Sequence, residues 1–192
     1  MELTNPEKLI LLMLSQLHEQ VGVKGGVDTK LLTNAIYSDN TWALDWEMSG
    51  VLSNKSEPTP PEVTDVVNIL DMWSFIEEAY ENFDAASREK VKVGAAPFGE
   101  HVMFTGFDGN NESRYMSIAN FLVKDMNRFT RFEKRDLNSH SPSIDGLLRM
   151  SEVFEKIRPT LAHRGLNTDE TIQLLNARRH PVKSSSLDQA EH

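Results

Sequence analysis

The feature that most constrains this chain is a helix signal that opens at Thr59-Pro60-Pro61-Glu62 and runs to Phe83. Threonine followed three residues later by glutamate is a capping-box spacing, and proline suits a first helical turn, where its missing N–H costs nothing. Val63, Val66, Leu70 and Trp73 then fall on a heptad seam, with Val67, Ile69, Phe75, Ile76 and Tyr80 beside them. So much apolar surface on one helix places it centrally in the fold or against a partner chain.

A second apolar helix opens the chain. Thr4 or Asn5 can cap it, with Pro6 or Glu7 in its first turn, and Leu9, Ile10, Met13, Leu14, Leu17 and Val21 follow at helical spacing until Gly22. Leu11 and Leu12 widen that stripe, so burial on more than one side is expected. Shorter helices are expected after Asp28, between Asn40 and Gly50, from Ser87 to Val93, and after Asn110 or Asn111. Two more follow Ser141-Pro142 and the capping signal Asn167-Thr168-Asp169-Glu170. Lys55 to Pro61, with three prolines, reads as a linker, and His101 to Phe107 is the one stretch with extended character. The expected fold is all-α, a multihelical single domain over residues 1–177 with at most one short β-hairpin. Residues 178–192 read as a polar, mobile tail.

A length of 192 residues is enough to bury a core without staples, and the lack of cysteine excludes disulfides and thiolate metal sites. The longest apolar run, Leu9 to Leu14, is far below the roughly 20 residues that span a bilayer, and acids stand where a signal peptide would be basic. No membrane association and a cytoplasmic location are therefore expected. The net charge of −9 disfavours nucleic acid as a partner of the whole chain without closing the question for a local patch.

Several segments together resemble the YfbU family of small bacterial proteins. These are Thr4 to Leu11, Val67-Asn68-Ile69-Leu70-Asp71-Met72-Trp73, and above all Phe104-Thr105-Gly106-Phe107-Asp108-Gly109 followed by Glu112, Arg114 and Tyr115. Thr168 to Ala177 resembles the closing helix of that family. The likeness spans Thr4 to Ala177 with gaps and is thinnest between Gly22 and Glu62. It implies a multihelical, self-associating bacterial cytoplasmic protein, and it implies no biochemical activity.

Three residue groups could carry chemistry. Gly106, Phe107, Asp108, Glu112, Arg114 and Tyr115 fit a recognition loop, with Phe107 as anchor and Asp108 and Arg114 as polar contacts. They also fit a structural corner with Phe107 packed inside and Asp108 serving a helix cap, which is the favoured reading. Between Arg114 and Arg135 six basic residues face two acids, so Lys124, Arg128, Arg131, Lys134 and Arg135, interleaved with Phe129 and Phe132, could form an anion or nucleic-acid patch. The favoured alternative is a solvated helix end. Along the central helix, Asp71, Glu77, Glu78, Glu81 and Asp84 read as its solvent face, although Glu77 and Glu81 share a side and could meet a divalent cation.

Neither a helix-borne histidine pair, a nucleophile elbow nor a phosphate-binding glycine loop occurs, so no catalytic residue, metal or cofactor is assigned. Glu133, Asp136 and His140 are near in sequence, but Pro142 makes their stretch a loop. The leading expectation is a protein that acts by association with itself and with another macromolecule. Its alternatives are a nucleic-acid-linked regulator using residues 114–135 and a small-ligand binder or enzyme around Asp108, Glu112, Arg114 and Tyr115.

Overall fold

Local capping sets the starts of four helices. In the computed structural model, which describes residues 2–50 and 58–180, the Glu7 carboxylate accepts hydrogen bonds from the Thr4 N–H at 2.8 Å and the Thr4 hydroxyl at 2.6 Å, and α1 runs Asn5–Val21. Gly22 ends it in a left-handed conformation at φ 70°, which glycine adopts without a Cβ penalty. The Asp28 side chain accepts from the Leu31 N–H and starts α2 (Thr29–Tyr37). Next come α3 (Trp42–Glu47) and α4 (Pro61–Asn82). Asp84 accepts from the Ser87 N–H at 2.7 Å and caps α5 (Ala85–Gly94).

After α6 (Ser113–Asn120) the chain continues as one π-helical turn, Phe121–Asp125, then a short 3₁₀ turn at Thr130–Phe132. Pro142 lies just ahead of α7 (Ile144–Ile157), and a 3₁₀ turn containing Pro159 ends it. Asn167 and Glu170 exchange side-chain-to-backbone bonds at 2.9 Å and open α8 (Thr168–Ala177). The chain is all-α. Among the described residues the extended look of His101 to Phe107 yields no strand, only an isolated bridge between Phe107 and Asn138.

Two compact units share the chain, and the division falls inside α4, between Ser74 and Phe75. The first comprises Met1–Ser74 and Thr105–Pro142. Here α2 packs against α1, α3 and the π-helical turn, and the Asn34 amide donates to the Asp125 carboxylate at 2.6 Å. Trp42 is buried with its ring edge toward Trp46 and Phe121. The second unit comprises Phe75–Phe104 and the chain from Ser143 onward, with α8 packed on α5 and α7 and with Phe75 against Phe154.

Three expectations need correction. Glu77 is not on a solvent face: it is 3 % exposed and its carboxylate accepts the Phe104 N–H at 2.7 Å. It continues the heptad seam of Val63 and Leu70, and a buried acceptor there satisfies a buried amide. Arg178 and Arg179, assigned to a mobile tail, are engaged in the second unit. The Arg178 guanidinium lies over the Phe98 ring, Arg149 donates to the Arg178 carbonyl at 2.8 Å, and Arg179 donates to the Ala96 carbonyl. The remainder of the tail beyond residue 180, and residues 55–57 of the proline-rich linker, lie outside the described residues. The third correction concerns α1. Among its residues only Ser15 is buried, so the expected burial on more than one side does not occur.

Candidate functional site

The outer face of α1 is the largest departure from what a single soluble chain should expose. Leu9, Ile10, Met13, Leu14, Leu17 and Val21 are each between 55 % and 75 % exposed. At 100° per residue they form one stripe roughly 140° wide. Lys8, Leu11, Leu12, Ser15 and His18 form the opposite, less exposed side. Lys8 lies 3.7 Å from the Asp39 carboxylate, and Glu19 accepts from the Thr29 hydroxyl, which fastens that inner side to α2. Sequence reasoning found these apolar residues but not their exposure, because spacing along a helix does not reveal what lies over it.

The Gly106–Tyr115 segment is a structural corner. Gly106 has φ 93°, and a Cβ there would sit 2.0 Å from the Leu137 carbonyl oxygen, so only glycine fits. The close approach lets the Phe107 N–H donate to the Leu137 carbonyl and the Ser139 N–H donate to the Phe107 carbonyl, both at 3.0 Å. Phe107 is fully buried with its ring 5.8 Å from that of Tyr115, so it cannot present an anchor to a partner. Asp108 is buried too. Its carboxylate accepts from the Asn111 amide at 2.5 Å and the Asn110 N–H at 3.0 Å, which holds its pKa below the usual carboxylate range. Glu112, also buried, accepts the Asp108 N–H at 2.8 Å. Burial, with Asp65, Glu62 and Glu112 nearby, pushes the Tyr115 phenol up.

Arg114 is the member of this group that reaches elsewhere. Its guanidinium donates to the Asp39 carbonyl at 2.9 Å and to the Asn40 side-chain oxygen at 3.3 Å. Asn40 is fully buried and is a hub the sequence did not reveal. Its oxygen also accepts from the Trp42 indole N–H, and its NH₂ donates to the Ser38 and Ser117 hydroxyls. All four of its hydrogen-bonding positions are therefore filled. The signal available was the Asp39-Asn40 pair between two helices, a turn composition common to many loops. Arg114 also lines a cleft of about 910 Å³ in the first unit, with Lys8, Asp39, Asp45, Trp42 and Trp46 among its walls.

The basic stretch is partly committed to internal pairs. Arg128 bonds Glu47 at 3.0 Å and lies over the Trp46 ring, and Arg135 lies over Phe132. Phe132 is fully buried and Phe129 half-buried, so Phe132 gives no stacking platform to a nucleic acid. Lys124 and Lys134 are exposed and Arg131 is half-exposed. Of the acidic run, Asp84 caps α5, and of the pair that might have met a cation Glu77 is buried on the Phe104 amide while Glu81 is exposed. Asp136 accepts the Asn138 N–H, a loop contact. Among the described residues no group of three or more histidine, aspartate or glutamate side chains could hold a metal ion. Nor is any described helix long and apolar enough to cross a membrane.

The architecture thus defines an all-α protein built from two compact helical units. A family model described as the YfbU domain matches residues 1–177, and the chain belongs to that family. Among curated proteins it is similar to the UPF0304 protein MJECS11 of the archaeon Methanocaldococcus jannaschii, at 29 % identity over 114 residues. That match covers 57 % of this chain and 65 % of the archaeal protein, so the chain spans a little under two thirds of its length. The relative is archaeal, so the likeness reaches beyond the bacterial proteins named above.

Proposed function

We propose that this protein works by association, with the outer face of α1 as the surface that meets another copy of the chain. The observation that carries the reading is the contiguous stripe of Leu9, Ile10, Met13, Leu14, Leu17 and Val21 in water. Soluble monomers seldom expose apolar patches above a few hundred Å², and larger ones mark interaction sites. Among the described residues the other exposed large apolar side chains, Val23, Val27, Tyr37, Val93 and Met103, lie outside this stripe. Light scattering on the purified protein at tens of micromolar tests it. The expected result is a mass of at least two chains, falling to one chain in Leu14→Lys with helical content retained. A wild-type protein that stays monomeric overturns the reading.

A second reading is supported by the cleft at Arg114, where Lys8 and Arg114 share the walls with Glu2, Asp39 and Asp45 and with the Trp42 and Trp46 indoles. Such a cleft suits a small zwitterionic ligand with a flat apolar part. Thermal-shift measurements against amino acids and related zwitterionic metabolites should raise the melting temperature for some compound, and Arg114→Lys should abolish that rise. A broad screen with no shift removes this reading.

A further inference from the structure

We infer that α1 pairs antiparallel with α1 of a second copy, so that Leu14 meets Leu17 at the centre and Ile10 meets Val21 on either side; this rests on the association reading above and specifies its geometry. Ile10, Leu14, Leu17 and Val21 recur at intervals of four, three and four residues. That is the spacing of one seam that stays on one side of a helix over three turns. All four are more than half exposed and lie opposite the side that faces α2. In an antiparallel pair the two seam positions alternate across the interface. A two-fold axis midway between Ser15 and Gln16 then matches Leu14 with Leu17 and Ile10 with Val21, and every seam residue has an apolar partner.

Area fits a second copy. The four seam residues and Met13 beside them offer on the order of 500 Å² of apolar surface per copy, so a pair buries roughly 1,000 Å², about the least a specific interface needs. Leu9 lies at the margin of the stripe, roughly 110° from the seam centre, and stays outside the contact. An isologous contact of this kind closes on itself and leaves no second sticky face.

Charge selects the direction. Glu2 and Glu7 stand at the N-terminal end of α1 and Lys24 just past its C-terminal end, while Lys8 and Glu19 are engaged on the inner side with Asp39 and Thr29. Parallel pairing would set Glu7 beside Glu7 and align two helix dipoles with like ends together. Antiparallel pairing brings Glu7 toward the segment that carries Lys24 and sets opposite dipole ends side by side.

The natural absence of cysteine makes disulfide trapping direct. Ile10→Cys and Val21→Cys chains, each alone and then mixed in equal amounts, are oxidised mildly and resolved by non-reducing electrophoresis, with light scattering of the reduced wild type in parallel. Disulfides need Cβ atoms about 4 Å apart, and the two copies of position 10 in the proposed pair are separated by eleven residues of helix, on the order of 16 Å. The expected result is a covalent dimer in the mixture and little in either chain alone. A second mixture, Leu14→Cys with Leu17→Cys, should cross-link likewise and guards against loss of pairing by an end substitution. Efficient self-linking of the Ile10→Cys chain alone would show parallel pairing and overturn this inference while the association reading stands. A wild-type oligomer with no cross-link in either mixture would place the contact elsewhere and also overturn it. A wild type that is monomeric by light scattering removes both.

Discussion

Helices α1 and α4 carry the same kind of sequence and meet opposite fates. Each has a capping signal ahead of it in the sequence, a seam of aliphatic residues and additional apolar side chains beside it. On α4, Val63, Val66, Ile69, Leu70, Met72, Trp73, Ile76 and Ala79 are all buried. On α1, none of the apolar residues is buried, and six of them stand mostly in water. Periodicity reports that a helix has a face to hide, and it is silent about what will hide it. For α4 the cover comes from the chain itself. For α1 the described residues cover only the side toward α2, and the rest of its apolar face is the surface proposed above to meet a second copy.

The contrast is broken most sharply by truncating a side chain on α4. Trp73 is 1 % exposed, and Trp73→Ala should cost about 3–5 kcal/mol of unfolding free energy through lost transfer and a residual cavity. Chemical denaturation at a protein concentration low enough to keep the chain monomeric measures it. A loss below about 1 kcal/mol would mean that α4 is as loosely covered as α1, and the comparison would fail.

Glu77 sharpens the same comparison, because it is a charged residue on an otherwise apolar seam. Glu77→Ala leaves the buried Phe104 amide without this acceptor and should cost about 1–3 kcal/mol, whereas Glu77→Gln keeps an acceptor at the same reach and should cost less. Equal losses in the two variants would show that packing, not the hydrogen bond, is what this position contributes. The heptad already marked Glu77, since 63, 70 and 77 are equivalent positions. The acid was assigned to the solvent face because charge runs usually are, and the seam was the better guide.

What the sequence made legible is governed by range. The ends of α1, α2 and α8 are set within four residues by Thr4 and Glu7, Asp28, and Asn167 with Glu170, and they are found where those residues stand. The corner at Gly106 was legible as a corner, but Gly-Phe-Asp fits an inward and an outward turn equally well. Its direction is decided by Leu137 and Asn138, some thirty residues on. Between residues 126 and 143, Asn127, Phe129 and His140 adopt left-handed backbone with no glycine to announce it. Nothing local marks Asn40 as a hub either, because its partners on α6 come from a distant part of the chain.

On α1 a much smaller stability effect is expected from a comparable loss of apolar surface. Leu17→Ser removes a side chain that is 55 % exposed, so the monomer should change by no more than about 0.5 kcal/mol under dilute conditions. The oligomer at tens of micromolar should instead dissociate. Measuring both quantities on one variant separates folding from association. A large monomer loss would mean that this face is covered within the single chain after all.

The smallest expected effect lies at the Gly106–Tyr115 corner, and it depends on acid. Asp108 accepts hydrogen bonds from Asn110 and Asn111, which favour its ionised form and lower its pKa from the ordinary value of about 3.9. A depressed folded-state value means that the stabilisation is complete above the unfolded pKa and fades as pH falls through the folded one. Asp108→Asn turns an amide group toward one of those donors and lacks this titration. Wild type should therefore melt higher than Asp108→Asn from about pH 5 upward, and the gap should close as pH falls below about 4. Melting curves from pH 2 to 7, recorded with the α1 face already disabled by Leu17→Ser, keep association from entering the comparison. A gap that is unchanged across that range would assign the contribution of Asp108 to the shape of the corner and not to its charge.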